Sequence, residues 1–280
     1  MYIGVDMGGT NIRAALVNEH GIVKKVSMLC PARSSKEEVM EALAGLISQV
    51  FTKEVEGVGV GVPSVVDREA GVVYDVANIR SWDRVELAPY LSSRFHVPIY
   101  LNNDANCFAL GVSHWGEGKA YRNFLGVTLG TGVGAGIIIN GKLYNGRNTC
   151  AGEIGNLPFD TDNFEEKCSG SFFQHAAGKS GKDLEALARQ GDTPTMEVWG
   201  RFGRNIGCLV KAITLTYDPE AVFFGGSIAK AFDLFAPSMR RELADFPYPT
   251  VIRRLVIGCS QLPDAALLGA ASLCVDERKG

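Results

Sequence analysis

The segment Asp6-Met-Gly-Gly-Thr-Asn-Ile-Arg13 combines the groups that phosphate chemistry requires. Glycines such as Gly8 and Gly9 can take φ > 0 and leave backbone N–H groups unshielded, which makes an anion-accepting nest. Thr10 and Asn11 add side-chain donors, and Asp6 is placed to hold Mg²⁺ through water. A second nest candidate is Leu129-Gly-Thr-Gly-Val-Gly-Ala-Gly136, with Thr131 and Gly132 at its centre. It fits the GxGxxA dinucleotide pattern from Gly130, but a strand, 136–140, follows it instead of a helix, so a dinucleotide-binding unit fails on context. No GxxxxGKS/T motif occurs. Gly225-Gly226 ends a short apolar run ahead of a helix-like stretch, 228–232, a position suited to a base or ribose.

The candidate for proton transfer is Asp104 in Leu101-Asn-Asn-Asp-Ala-Asn106. It follows a strand, 97–101, and precedes a helix, so an N-cap is the simpler role for it. The helix N-terminus favours its ionised form, and a carboxylate in reach of a hydroxyl can take the proton lost on phosphorylation. Glu153 lies in Cys150-Ala-Gly-Glu-Ile-Gly155 and Glu165 in Phe164-Glu-Glu-Lys167. Carboxylates and carboxamides on converging loops suit a sugar, because each bonds adjacent hydroxyls directionally.

The elements that must position these residues are legible as periodicity. Tyr2 to Val17 alternates around a glycine turn and reads as a β-hairpin, and Gly57 to Pro63 reads as a strand ending at a loop. Residues 35–51 carry Val39, Leu43, Leu46, Ile47 and Val50 at helical spacing, with Ser35 as N-cap and Glu38 three residues on. Helices are also expected over 105–114, 184–190, 197–217 and 265–276. Strands alternating with helices argue for an α/β fold. Laid without gaps, Gly4–Asn18 matches Gly126–Asn140 at Gly4/Gly126, Val5/Val127, Gly8/Gly130, Val17/Ile139 and Asn18/Asn140, which suggests two related halves. The domain join is expected near residue 112, with 1–111 and about 266–280 forming a smaller domain and 112–265 a larger one.

Composition removes whole classes. The chain has 280 residues, 28 Lys+Arg against 31 Asp+Glu, and a formal charge of −3, which does not suit a nucleic-acid or anionic-membrane coat. No apolar run approaches a membrane span, and with no basic, apolar stretch at its N-terminus no secretory leader is expected. The seven cysteines are scattered with no CxxC pair, which points to reduced thiols and a cytoplasmic protein. The excess is in glycine: 33 residues, well above the average of roughly 7%.

Taken together, Asp6-x-Gly-Gly-Thr-Asn with Arg13, Gly61-Val-Pro-Ser64, Asn103-Asp104-Ala-Asn106, Leu129-Gly-Thr-Gly132, Ala151-Gly-Glu-Ile-Gly155 and Asp218-Pro-Glu220 before Gly225-Gly226 resemble the ROK family of repressors and sugar kinases. The match covers nearly the whole chain in order. The resemblance implies the actin-like ATPase (ribonuclease H-like) fold, with two α/β domains around a cleft that takes sugar and Mg-ATP. It implies Asp104 as general base and Ser64, Asn78, Asn103, Glu153, Asn156 and Glu165 as sugar contacts. Gly8, Gly9, Thr10, Asn11, Thr131 and Gly132 then face the phosphates, and Gly225 and Gly226 the adenosine. A homodimer is expected from the family.

Two departures stand out. The family's Gly-Glu-x-Gly-His reads Gly152-Glu-Ile-Gly-Asn156, and its cysteine-rich zinc loop is missing. Cys168 alone cannot make a four-ligand site, so zinc is not expected. The 157–165 loop is expected to be less constrained without the metal.

The leading expectation is an ATP-dependent hexose kinase acting on the 6-hydroxyl of glucose or a related aldohexose. The alternative is a catalytically weak or silent sugar-binding regulator descended from such a kinase. A DNA-binding repressor is disfavoured, because the phosphate hairpin begins at Met1 and no basic patch compensates.

Overall fold

The computed structural model describes residues 1–8, 10–76 and 78–276. The N-terminal alternation folds as an antiparallel hairpin, β1 (Tyr2–Met7) and β2 (Asn11–Asn18), extended by β3 (Gly21–Leu29). Helix α1 (Lys36–Ser48) is closed by the capping box that its sequence spells: Ser35 accepts from the Glu38 N–H and Glu38 from the Ser35 N–H. The run Val58–Val62, β4, is buried throughout and joins β1 in parallel, as a strand covered on both faces requires.

A small ladder of β5 (Val66–Asp67), β6 (Val72–Tyr74) and β7 (Arg84–Val85) leads to α2 (Leu87–Phe95). Then β8 (Ile99–Asn103) adds in parallel to β4, and α3 (Asp104–Trp115) follows directly. The sheet order is β3-β2-β1-β4-β8.

The same plan recurs. Strands β9 (Phe124–Leu129), β10 (Val133–Ile139) and β11 (Lys142–Leu143) open a second sheet. A short hairpin, β12 (Pro158–Phe159) and β13 (Asp162–Asn163), precedes α4 (Phe164–Cys168), α5 (Gly170–Ala177), α6 (Gly181–Arg189) and α7 (Thr193–Tyr217). Strand β14 (Ala221–Gly225), α8 (Phe232–Leu243), α9 (Pro249–Arg254), β15 (Val256–Cys259) and α10 (Ala265–Asp276) complete the chain. The order β11-β10-β9-β14-β15 repeats the first sheet strand for strand, with β9, β14 and β15 parallel. The matched segments 4–18 and 126–140 are therefore the opening hairpins of two sheets with one connectivity.

The chain divides into two compact units: Met1–Ala120, Gly136–Ala151 and Gln261–Gly280, and Tyr121–Ala135 with Gly152–Ser260. Residue 112 lies inside α3, which belongs whole to the first unit. Glycine packing explains why that helix is not divided. A Cβ on Gly269 of α10 would stand 1.7 Å from the Cys107 carbonyl oxygen of α3, and one on Gly111 1.9 Å from the Ala265 oxygen. The two helices touch backbone to backbone. In this unit Ile3, Val5, Leu43, Ile47 and Val60 form the fully buried core. The second unit is centred on rings: Phe173 stands 4.6 Å from Trp199 and 4.8 Å from Phe202, with Phe235 against both Trp199 and Phe202. Among the described residues no helix is long and apolar enough to cross a membrane.

Candidate functional site

Sheet register gathers the candidates of the first unit. Asp6 of β1 pairs with Gly61 of β4, and Gly61 with Asn102 of β8, so the three stand in one row at the carboxyl ends of parallel strands. This is where open α/β sheets present ligands. One residue on, Val62 pairs with Asn103.

Asn103 is the last extended residue and caps α3, its Oδ1 accepting from the N–H groups of Ala105 and Asn106. Asp104 is the first helical residue, so the capping role expected for it falls to its neighbour. A buried carboxamide chain backs this corner. Asn102 Oδ1 accepts from the Asn103 N–H and from Asn106 Nδ2, both at 2.9 Å, and Asn102 Nδ2 donates to Asn145 Oδ1 at 2.8 Å. Beneath it the Cys107 thiol is fully buried. Burial first, then the charges of Asp104 and Asp6, hold it well above the usual thiol range, so it stays protonated.

Ser64 follows β4, and its carbonyl accepts from Asn103 Nδ2 at 3.4 Å while its hydroxyl donates to the Tyr74 carbonyl. Asn78 lies exposed in the β6–β7 connection. Asn145 and Thr149 were not singled out from the sequence. The Thr149 hydroxyl donates to the Val66 carbonyl at 3.0 Å, and its oxygen lies 2.8 Å from the Val66 N–H. Their partners stand 43 and 83 residues away, beyond any local pattern.

The first glycine turn differs from the expected nest. The Gly8 N–H donates to the Asn11 carbonyl at 2.9 Å, and its φ lies outside the left-handed region. Gly8 therefore closes the hairpin and does not hold its amide open to an anion. Gly9 lies outside the described residues. Thr10 and Asn11 are exposed beside it. Asp6 is buried and ion-paired with Arg13, which also reaches Asp264 at 3.4 Å. A lone carboxylate already paired with Arg13 does not make an all-protein cage, so Mg²⁺ would be held here only through water, in competition with the guanidinium.

In the second unit, three glycine loops converge. The Gly130 N–H donates to the Gly132 carbonyl at 3.0 Å, and the Gly130 carbonyl accepts from Gly170 at 2.8 Å, where α5 begins. Neither Gly130 nor Gly132 takes a left-handed φ, so this loop too is a closed turn. Thr131 projects exposed from it. Gly225 ends β14 opposite Thr128 of β9. Gly226 has φ +89° and lies so near the Leu129 carbonyl that a Cβ would come within 2.3 Å of it. Only glycine suits that position.

Glu165 reaches the same loop. Its Oε2 accepts from the Val133 N–H at 3.1 Å, and a Cβ on Gly132 would stand 2.4 Å from that oxygen. Glu153 receives a hydrogen bond from Asn156 Nδ2 at 3.2 Å. Burial raises the Glu153 carboxyl above the usual carboxylate range, the Asn156 bond opposes this, and the charge of Glu165 adds to it. Glu153, Asn156 and Glu165 are thus brought together.

The 157–165 segment, expected to be loosely held, is ordered as the β12–β13 hairpin. Phe159 stacks on Phe164 at 4.5 Å and 8°, and Lys167 pairs with Asp162 at 2.8 Å. Elsewhere in this unit a groove of about 840 Å³ runs along α7 and α8, lined by Trp199, Arg201, Arg204, Leu234 and Arg241 among others. None of the candidate residues lines it.

The chain is 30% identical to a glucokinase of Thermotoga maritima, covering 99% of this chain and 98% of that one. It is 26% identical to the xylose repressor of Bacillus subtilis, covering 98% of this chain and 77% of the repressor. Its structure matches that of a ROK family glucokinase from Streptomyces griseus in complex with glucose and AMPPNP, with TM-score 0.82, 26% identity, and coverage of 100% and 99%. The fold is that of the actin-like ATPases. The model of the ROK family matches residues 2–277, and the chain belongs to that family.

Proposed function

We propose that the chain is a cytoplasmic, ATP-dependent hexose kinase that phosphorylates the 6-hydroxyl of glucose or a related aldohexose. The observation that carries this reading is Asp104, placed in the first turn of α3 at the carboxyl end of β8 beside the capping Asn103. The similarity to glucokinases over the full chain supports it.

Asp104 takes the proton from the hydroxyl as its oxygen attacks the γ-phosphorus in line. The bond from that phosphorus to the bridging oxygen breaks, and ADP departs with the electron pair. Ser64, Asn78, Asn103, Glu153, Asn156 and Glu165 hold the other hydroxyls. Thr10, Asn11 and Thr131, exposed on the two closed glycine turns, face the phosphates, and Gly225 and Gly226 the adenosine. Asp6 would hold Mg²⁺ through water, and the ion, when bound, offsets charge on the phosphoryl oxygens. The working form in this reading is a homodimer.

Coupled ADP release over a hexose panel tests it. Asp104→Asn is expected to lower turnover about 10²- to 10⁴-fold with an unchanged melting midpoint. Equal turnover of wild type and variant would sink the mechanism. The similarity to xylose repressors favours a second reading, a sugar-binding regulator without kinase activity. Binding of glucose without ADP formation would support that one.

A further inference from the structure

The zinc site that the family resemblance implies does not fit this chain. Structural zinc takes four donors, yet Asn156 stands where the family has histidine. Cys168 is fully buried, its thiol held well above the usual range by burial and by neighbouring Cys208. Among the described residues no three His, Cys, Asp or Glu side chains gather as a metal site.

The same stretch carries a different set of ties. The Phe159 and Phe164 rings lie nearly parallel at 4.5 Å. The Phe164 N–H donates to the Leu157 carbonyl at 3.1 Å, across the mouth of the hairpin. Asn163 Oδ1 caps α4 by accepting from the Glu166 N–H at 2.9 Å. The far end of α4 is held by Asn205 Nδ2, which donates to the Lys167 carbonyl at 2.9 Å. Between these two anchors stands Glu165, whose Oε2 accepts from the Val133 N–H.

We propose that the β12–β13 hairpin is a metal-free brace, in which the Phe159–Phe164 stack holds α4 so that Glu165 stays docked on Val133. Phe159 is then a positioning residue acting through Glu165. Its effect on sugar affinity rests on the hexose-kinase reading, but the docking itself does not.

Amide exchange of the whole protein, without sugar, tests the docking. In Phe159→Ala the Val133 amide should exchange about 3- to 10-fold faster, the factor that one lost aromatic stack supports. Amides of β14 should be unaffected. Phe159→Tyr keeps the ring and should restore the wild-type rate. Prior dialysis against a zinc-selective chelator should leave wild-type exchange at Val133 unchanged. Faster wild-type exchange after chelation would overturn the proposal. So would an unaltered Val133 rate in Phe159→Ala, or equal acceleration across the unit. Calorimetry with D-glucose should show a dissociation constant raised by the same factor, with kcat within about 2-fold. If exchange behaves as expected but wild type binds and phosphorylates no hexose, the kinase reading fails and the brace stands.

Discussion

Asn102 of β8 donates through Nδ2 to Oδ1 of Asn145 at 2.8 Å, and its own Oδ1 takes the Asn103 N–H. The residue just before the Asn103–Asp104 pair is thus held from behind by a loop 43 residues away. Asn102→Ala would leave the buried Asn103 N–H and Asn106 Nδ2 and the half-buried Asn145 Oδ1 without their bonds to this side chain. It is expected to lose about 2–4 kcal/mol of stability, seen as a lower urea midpoint at constant slope. Asn145→Ala removes one bond and should lower kcat about 10-fold through displacement of the Asp104 turn.

The Glu153 carboxyl has a definite pH signature. Its raised value means that the folded state binds this proton more tightly than the unfolded chain. Stability from this group is therefore present at low pH. It is lost as pH rises from the ordinary carboxylate value through the folded one. Glu153→Gln should flatten that part of the profile and raise the melting midpoint at neutral pH. If Glu153 contacts sugar, the same variant will bind glucose more weakly. Melting curves from pH 4 to pH 8, roughly the span over which such a carboxyl titrates, decide the sign.

Two glycine substitutions should move stability in opposite directions. Gly269→Ala drives a methyl into the Cys107 carbonyl, and a loss of about 3 kcal/mol or more is expected. Gly45 lies inside α1 with nothing within 4 Å of an added Cβ and no left-handed φ, so Gly45→Ala should gain about 0.5–1 kcal/mol. Denaturant titrations of the pair separate glycines needed for close packing from those that merely cost entropy.

Thiol labelling should follow burial. Cys150 is exposed and should react first with an aromatic disulfide reagent at neutral pH. Cys107, Cys168 and Cys274 are buried and should react only on unfolding, whereas half-buried Cys259, whose thiol burial pushes up to about 12, should react slowly in the folded protein. Mass mapping of the modified peptides gives the order.

Much of the frame was local and therefore readable. The α1 capping box, the first hairpin and the α10 span need only neighbours in sequence, and each stands where periodicity placed it. Helices α2, α4, α5, α8 and α9 are not among those the periodicity predicts. Four of them run only 9, 5, 8 and 6 residues, too short for an apolar stripe to declare itself, and the 12-residue α8 carries Pro237, a residue that ordinarily breaks a helix. The sequence offers Asp104 two roles, proton acceptor and helix cap, because an Asp before a helix is usually a cap. The capping role falls to Asn103, since the extended backbone of β8 continues two residues beyond the apolar run, which ends at Leu101.

The glycines mark the division most clearly. Their number, their clustering at strand ends and the repeat of one hairpin in another were settled by the sequence, as was the family. What each glycine does was decided by tertiary structure. Gly8 and Gly130 close turns, Gly132 admits the Glu165 carboxylate, and Gly111 and Gly269 let α3 and α10 meet. A glycine presents the same absence of side chain in every case. Only the chain brought against it, often a hundred residues away, determines whether that absence serves a turn, a neighbour or a ligand.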